Sequence, residues 1–457
     1  MPTTIATRPL DRRDLAARAM HRRAVDAVVW GLPAVNYDLM FQAMVRETKG
    51  GANQVVYWSR LPDWKNQTLT PNPDSIYVMP FFDTRAGPMV LEIPPADAGS
   101  ITGSVDDCWQ TPLEDVGPAG RDEGRGGKYL ITPPGYAAAI PDGYFQLPSS
   151  NYQGYALLRS IAKSGGADDV RRAADYARRI RLYPLAQAAD PPAQAFLDAI
   201  DVVFDATIPY DLRFFQSLDR IVQAEPWLAR DRAMIDVLKS IGIRKGKPFA
   251  PDEETQTLLA AAAREARDWL AVQYEGVFAA PFYEGSQWAM PASPEVIEAL
   301  QSNFADPDAY PVEGRGLTYS FAFFCPKHSG KGSYYLMAIS DRDGRPLRGD
   351  SSYWLHVPAD APVTQYWSAT VYDRATHALI RDMPWPSRAS DTPGLQTNLD
   401  GSVDLWFGPE RPAHADANWV PTSPQGHFEI LFRFYAPKPG LFDKSWRLPG
   451  VERHGAR

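Results

Sequence analysis

Cysteine is almost missing from this chain. Only Cys108 and Cys325 occur among 457 residues, which excludes a disulfide scaffold and a thiolate zinc site, since both need several cysteines at short spacings. Long apolar runs are missing as well. No stretch reaches the roughly eighteen apolar residues that a membrane-crossing helix requires. The first residues carry arginines but no apolar core followed by a small-residue cleavage site, so a cytoplasmic protein with no membrane span is expected. Basic residues are outnumbered, 47 to 55, giving a net charge of −8. This argues against a nucleic-acid partner, because phosphate binding needs a basic surface.

Histidine is scarce too. His21, His328, His356, His377, His414, His427 and His454 form no H-x-H, H-x-x-x-H or H-E-x-x-H pair, so a metal-binding strand or helix of the usual spacing is not expected. Gly124-Arg125-Gly126-Gly127-Lys128 is followed by Tyr129, where a phosphate loop needs Ser or Thr and then a helix. No G-x-S-x-G elbow occurs. No cofactor is expected, and the turns at Asp341–Gly344 and Asn398–Gly401 read as hairpin turns in preference to calcium loops.

What the chain has in quantity is proline (42 residues) and aromatic side chains (12%). Dispersed proline fits short strands and turns better than a helical bundle. Residues 11–46 predict a helix capped by Asp11 or Asp14, broken at Gly31-Leu32-Pro33 and resumed from Val35. Strands are expected at Ser75–Phe82, Met89–Ile93, Ile101–Val105 and Lys128–Thr132. Helices are expected at Ala167–Leu182, Pro192–Phe204, Tyr210–Gln223 and Asp252–Glu275. Strand signals return from Leu317. Four regions follow: N-terminal helices over 1–50, a β-sandwich over 51–164, a helical segment over 165–306 and a second sandwich over 307–457.

The two β regions resemble each other. Met89–Asp97 leading to Gly103–Asp107 matches Tyr353–Asp360 leading to Ser368–Asp373. Gly117-Pro118 matches Gly408-Pro409, and the stretch ending at Leu158-Arg159 matches the one ending at Phe432-Arg433. Glycine and arginine are five residues apart in the first copy (Gly154, Arg159) and seven in the second (Gly426, Arg433). Both counts are odd, so the two arginines face the same way.

These stretches resemble two domain families of unknown function that bacteria often carry in tandem, DUF1254 and DUF1214. The first resemblance rests on Ala27–Tyr37, Leu69–Tyr77 and Gly126–Tyr129. The second rests on Tyr366–Asp373, Asn398–Ser402, Asn418–Pro421 and Arg433–Pro437. The resemblance implies two jelly-roll-like antiparallel sandwiches with helical additions, an α+β chain, and a homo-oligomer. It implies no activity. Many relatives carry an export signal that this sequence does not display.

Chemistry has to come from the residues. Asp106, Asp107, Glu114 and Asp115 cluster around Trp109, with Lys128, Tyr129 and Arg159 placed near them if the strands pair. Two carboxylates beside an aromatic wall can serve as acid and base, or can end strands in solvent and pair with Arg121 or Arg125. Asn72, Asp74 and Tyr77 make either an Asx-turn or the polar rim of a cavity. Trp367, Tyr372, Asp373, Asn418, Trp419, Arg433 and Tyr435 form a polar-aromatic set suited to a sugar-like or aromatic ligand, with Trp367 read as core. Arg159 and Arg433 sit on apolar strands and need partners, for which Asp107 and Asp373 are the candidates. The favoured expectation is a hydrolase- or lyase-type enzyme on a small neutral or aromatic substrate, with Asp74, Asp107, Tyr77 and Arg159 as reacting groups. A non-catalytic carbohydrate or small-ligand binder and an oligomeric assembly protein are the alternatives.

Overall fold

A computed structural model describes residues 11–322, 326–328, 332–413 and 416–455. Residues 1–10, Cys325 and His414 lie outside these. The described residues form a mixed α+β structure with eight α-helices and several sheets, none closed into a barrel. None of these helices is long and apolar enough to cross a membrane.

The first half has two large sheets and a two-stranded one. The six-stranded sheet runs Phe196–Asp198, Gln54–Tyr57, Ile76–Asp83, Gln153–Ser160, Ile101–Asp107, Pro112–Val116, and the four-stranded sheet runs Arg181–Pro184, Met89–Ile93, Gly127–Thr132, Tyr144–Pro148. Val78, Val105 and Leu158 from the one meet Leu91, Tyr129 and Ile131 from the other in a single core. The second half repeats this. Its sheets run Ser333–Ala338, Phe428–Tyr435, Trp367–Asp373, Ser387–Ala389 and Trp419–Pro421, Val403–Gly408, Tyr353–Val357, Glu452–Arg453. Leu336, Ala369 and Phe432 pack on Leu355, Leu405 and Val420 between them.

The outer face of each long sheet is also buried. Met79, Phe81, Tyr155 and Leu157 pack against helix residues such as Val28, Leu218 and Ala262, and Met337, Tyr372 and Leu431 against Tyr274 and Phe321. Strands covered on both faces carry no alternation of polar and apolar residues. Ile76–Asp83 and Phe428–Tyr435 are buried at every position, and polar groups on them have to be satisfied inside the protein.

The helix Arg12–Thr48 runs on through Pro33, contrary to the predicted break, and Asp11 caps it by accepting from the Arg13 N–H. Packing overrides the local signal here. Val28–Val35 are buried, and Gly31 lets Leu218 pack closely, 3.0 Å from where a Cβ would lie. Proline has no N–H for the carbonyl four residues back, which is that of Val29. Gly316 of the helix Val312–Phe321 packs on this carbonyl: a Cβ on Gly316 would lie 2.5 Å from Val29 O. Gly316→Ala should therefore push the two helices apart and cost about 2 kcal/mol. Urea unfolding of the variant checks this, and unchanged stability would mean that the close approach is not needed.

Within the stretch read as helical, Ala167–Ala177, Leu212–Ala224 and Glu253–Val277 are helices. Pro192–Phe204 is not. Its Phe196–Asp198 pairs in parallel with Gln54–Tyr57, Phe204-Asp205 pairs with Asn66-Gln67, and Arg181–Pro184 extends the four-stranded sheet. Leu317 belongs to a helix, and strands resume only at Ser333.

Candidate functional site

The two long antiparallel ladders have the same anatomy. Gln153–Ser160 pairs with Ile101–Asp107 so that Arg159 lies opposite Thr102, and Phe428–Tyr435 pairs with Trp367–Asp373 so that Arg433 lies opposite Ser368. On its other side Arg159 is opposite Tyr77, and Arg433 is opposite Tyr335. Tyr155 and Leu157 alternate into the helix-facing core while Ala156 and Leu158 enter the inter-sheet core. Arg159 thus faces away from its own sheet pair. Arg433 does the same, with Phe432 and Phe434 on the opposite side. The duplicated arginines meet where the halves join.

A guanidinium in such a place costs several kcal/mol unless it is bonded. Arg433, 2% exposed, donates to the Thr370 hydroxyl at 2.8 Å, to the Thr70 carbonyl at 2.8 Å, to the Pro71 carbonyl at 3.3 Å and to the Tyr372 phenol oxygen. Tyr372 in turn donates to Pro71 O at 2.6 Å. Thr70 is held at φ +40°, a conformation a β-branched residue rarely takes, and that backbone turn aims its carbonyl at Arg433. Arg159 donates to the Tyr77 phenol oxygen at 3.4 Å and sits 5.4 Å from the centre of its ring.

Asn72 ties the halves together. It is fully buried, and its amide donates to the hydroxyls of Tyr435 at 2.7 Å and Tyr366 at 3.0 Å. Its Oδ1 accepts from the Asp74 N–H at 3.0 Å, and its own N–H donates to the Tyr77 oxygen at 2.8 Å. The Asx-turn expected here is present, and it also spans the junction.

Beside this cluster opens a cleft of about 700 Å³. Arg159, Arg433 and Tyr335 line its floor; Pro291, Val296, Ile297, Leu300, Phe321 and Leu431 are among its apolar walls. Tyr335 accepts from the Ser333 hydroxyl at 2.8 Å and lies 5.6 Å from the Arg433 guanidinium, measured to the ring centre. Burial alone would raise its pKa. The positive charges of Arg159 and Arg433 outweigh burial, and the phenol sits below the ordinary tyrosine value. Tyr435, a neighbour with the same ring type, is driven far upward by burial and by Tyr335. Two phenols in one cluster are thereby set apart in acidity.

Asp74 borders a second hollow of about 250 Å³, formed with Asp63, Ser164, Trp385, Arg388 and Asp391. Its Oδ1 accepts from the Ser387 hydroxyl at 2.6 Å. Burial raises its pKa against that bond and against the charge of Arg433. Asp391 is pushed up to about 6 by burial and then by the charge of Asp74.

Of the residues singled out in the sequence, Asn72, Asp74, Tyr77, Arg159, Tyr372, Arg433 and Tyr435 converge here. The others do not. Asp107 accepts from the Trp109 and Thr111 N–H groups, both at 2.9 Å, closing a turn. It lies opposite Gly154, five residues and about 17 Å along the strand from Arg159, too far for the expected ion pair. Asp373 accepts from Ala375 and Thr376 and lies opposite Phe428, again five residues from the Arg433 register. Trp109 is packed 4.6 Å from Trp30 in the helical core. Tyr129 donates to Asp122 at 2.6 Å on the far sheet, and Lys128 lies over Tyr144. Asn418 bonds Gln396 and the Asp404 carbonyl, and Trp419 donates to Gly408 O at 2.9 Å. Both are fixed within the second half. Trp367 is core, as expected, stacked 5.4 Å from Phe432.

Sequence reasoning missed Tyr335, Ser387 and Asp391, and the wall Met290–Leu300. Tyr335 had a signal: it lies two residues before Met337 on an aromatic strand, so both share the helix-facing side.

The comparisons with known proteins bear on the fold. A family model described as a protein of unknown function, DUF1254, matches residues 52–184, and a second, DUF1214, also described as a protein of unknown function, matches residues 332–439. No curated protein matches. Among solved structures, the VPA0106 protein from Vibrio parahaemolyticus is similar over 95% of this chain and 99% of its own, with a TM-score of 0.58 and 16% identity. An uncharacterised protein from Burkholderia cenocepacia is similar over 96% of this chain and 94% of its own, with a TM-score of 0.41 and 12% identity.

Proposed function

We propose that this chain, which carries a DUF1254 and a DUF1214 domain in tandem, is an acid–base enzyme of the hydrolase or lyase type working in the cleft between its halves. One observation carries the reading: the Tyr335 phenol lines an apolar cavity together with the buried Arg159 and Arg433, and the charges of both act on it against burial. A phenol of lowered pKa gives and takes a proton more readily at working pH. Guanidiniums fixed beside it stabilise negative charge that develops on a substrate oxygen, and the apolar walls strengthen that attraction by excluding water. The two positive charges move the expected substrate from neutral to acidic. Asn72, Tyr77 and Tyr372 act as positioning residues in this reading. Asp107 is too far along the strand to take part.

Tyr335→Phe should lower turnover roughly 10²–10⁴-fold, the usual worth of a positioned proton-transfer group, with little change in melting temperature. The assay is product formation from a panel of esters, lactones and hydroxy acids. Turnover unchanged in the variant would remove Tyr335 from the reaction and with it the reading. The apolar majority of the walls favours a carrier of small ligands as the second reading, for which ligands bind and no product ever forms. Jelly-roll-like sandwiches, a cytoplasmic location and a homo-oligomer complete the proposal. The packing of two sheets about one core in each half supports the first of these.

A further inference from the structure

We infer that a second cleft, in the helical layer, takes a neutral aromatic alcohol, whose hydroxyl accepts from Arg230 Nε and donates to Asp231 Oδ2. This cleft lies against the helices Arg12–Thr48 and Glu253–Val277 and shares no lining residue with the cleft between the halves. The inference therefore stands apart from the enzymatic reading.

Two buried atoms without partners lead there. The turn Ala229–Asp231 brings Arg230 and Asp231 to a cleft of about 540 Å³, in the range of small-molecule sites that bury most of a ligand. Asp231 is 3% exposed, and its Oδ1 accepts from the Trp30 indole N–H at 2.8 Å and from the Tyr310 hydroxyl. Its Oδ2 lies 3.8 Å from Arg230 Nε, and neither atom has a hydrogen-bond partner among the described residues. A buried donor and a buried acceptor left unbonded cost stability until something joins them. These two are too far apart to bond each other, yet one oxygen can lie at about 2.9 Å from both. A hydroxyl is such an oxygen, since it accepts and donates at once. A carboxylate would meet Arg230 but set its charge against Asp231, and an ammonium would do the reverse. The Arg230 guanidinium makes no hydrogen bond among the described residues and rests over the rings of Phe304 and Tyr310, 4.3 and 5.9 Å from their centres. Nothing directional holds it, so it can turn toward a group entering from the cleft. Trp30, Trp269 and Tyr310 give the cleft aromatic walls, and Val25, Val29 and Met234 aliphatic ones, against which a flat ring buries its surface.

The test is calorimetric titration of the full chain with 2-naphthylmethanol, its methyl ether, 2-methylnaphthalene and 2-naphthoate. The alcohol should bind at least about tenfold more tightly than the ether, which has no proton for Asp231, and than the hydrocarbon, which bonds neither atom. The naphthoate should bind at least about tenfold more weakly than the alcohol, because it too lacks the proton. Arg230→Met keeps an apolar stem over Phe304 and removes the donors. It should lower affinity for the alcohol and the ether about tenfold and leave that for the hydrocarbon unchanged. Ala233 is exposed and lines the cleft. Ala233→Trp should fill the space and remove binding of the alcohol, with the fold unchanged by circular dichroism. An alcohol that binds no more tightly than its ether, tightest binding of the naphthoate, or alcohol affinity retained in either variant would each overturn the inference. So would no binding of the alcohol up to its solubility. Should Arg230→Met fail to fold, the four probes on the parent and the alcohol on Ala233→Trp still decide the matter.

Discussion

Asn72→Ala should cost about 3 kcal/mol and split unfolding into two steps. The side chain is fully buried, donates to Tyr366 and Tyr435 and accepts from the Asp74 N–H. Alanine leaves an N–H and two phenols short of partners in a place water does not reach, at roughly 1–3 kcal/mol for each group left unsatisfied, less whatever the hydroxyls recover by turning. The lost bonds run between residues 294 and 363 apart in sequence. They couple halves whose inter-sheet cores are separate, so their removal should let one half melt before the other. Urea unfolding followed by fluorescence and by circular dichroism tests this. Coincident, single transitions with parent stability would mean that Asn72 is not a junction residue.

The second large effect is on pH. Glu225 closes the helix Leu212–Ala224, and its carboxylate accepts from the Tyr152 and Gln153 N–H groups at 2.6 and 3.0 Å. Burial outweighs those bonds and pushes it up to about 7. An acid whose pKa is higher folded than unfolded holds its proton more tightly when folded. Its contribution is complete below the unfolded value and is lost as pH rises through the folded one. Here the loss falls between about pH 4.5 and 7 and amounts to about 3 kcal/mol at most, from the size of the shift. Asp106 adds to the same slope: it is buried, neither carboxyl oxygen has a hydrogen-bond partner among the described residues, and burial and its acidic neighbours push it well up. Stability measured by urea should therefore be greater near pH 5 than near pH 8. Glu225→Gln should flatten the profile while lowering its acid plateau, because an amide nitrogen cannot accept the second N–H. A parent profile already flat over this range would show that Glu225 ionises normally.

Much of the strand pattern was legible. Met89–Ile93 coincides with its predicted bounds, and Ile101–Asp107 and Gly127–Thr132 differ only at one end. Proline, glycine and aspartate delimit such segments whatever the rest of the chain does. The errors lie where partners distant in sequence decide. Pro33 stays in a helix whose preceding turn is packed upon, by Leu218 at Gly31 and by Gly316 at Val29. Phe196–Asp198 becomes a strand because Gln54–Tyr57 offers an edge.

The site divides the same way. Odd glycine-to-arginine spacing was enough to put Arg159 and Arg433 on equivalent faces, since alternation along a strand is a local rule. Their partners were misassigned because register is not local. Asp107 and Asp373 are near their arginines in the sequence pattern yet five positions away in each ladder. Tyr335 went unnoticed because its importance comes from lying opposite Arg433, a pairing nearly a hundred residues long in the sequence.

The junction also has a place in time. Asn72 and Arg159 are made early, but the tyrosine that completes the bond to Asn72 follows 363 residues later. At about 5–20 residues per second of synthesis, the 276 residues from Arg159 to Tyr435 keep this polar floor open for roughly 14–55 s on the ribosome. During that interval the floor is a wet surface where later there is a dry one, and the nascent half depends on water, or on a chaperone, to cover it. Interruption of synthesis before Tyr435 would release a first half with its sheets formed and its working face unfinished.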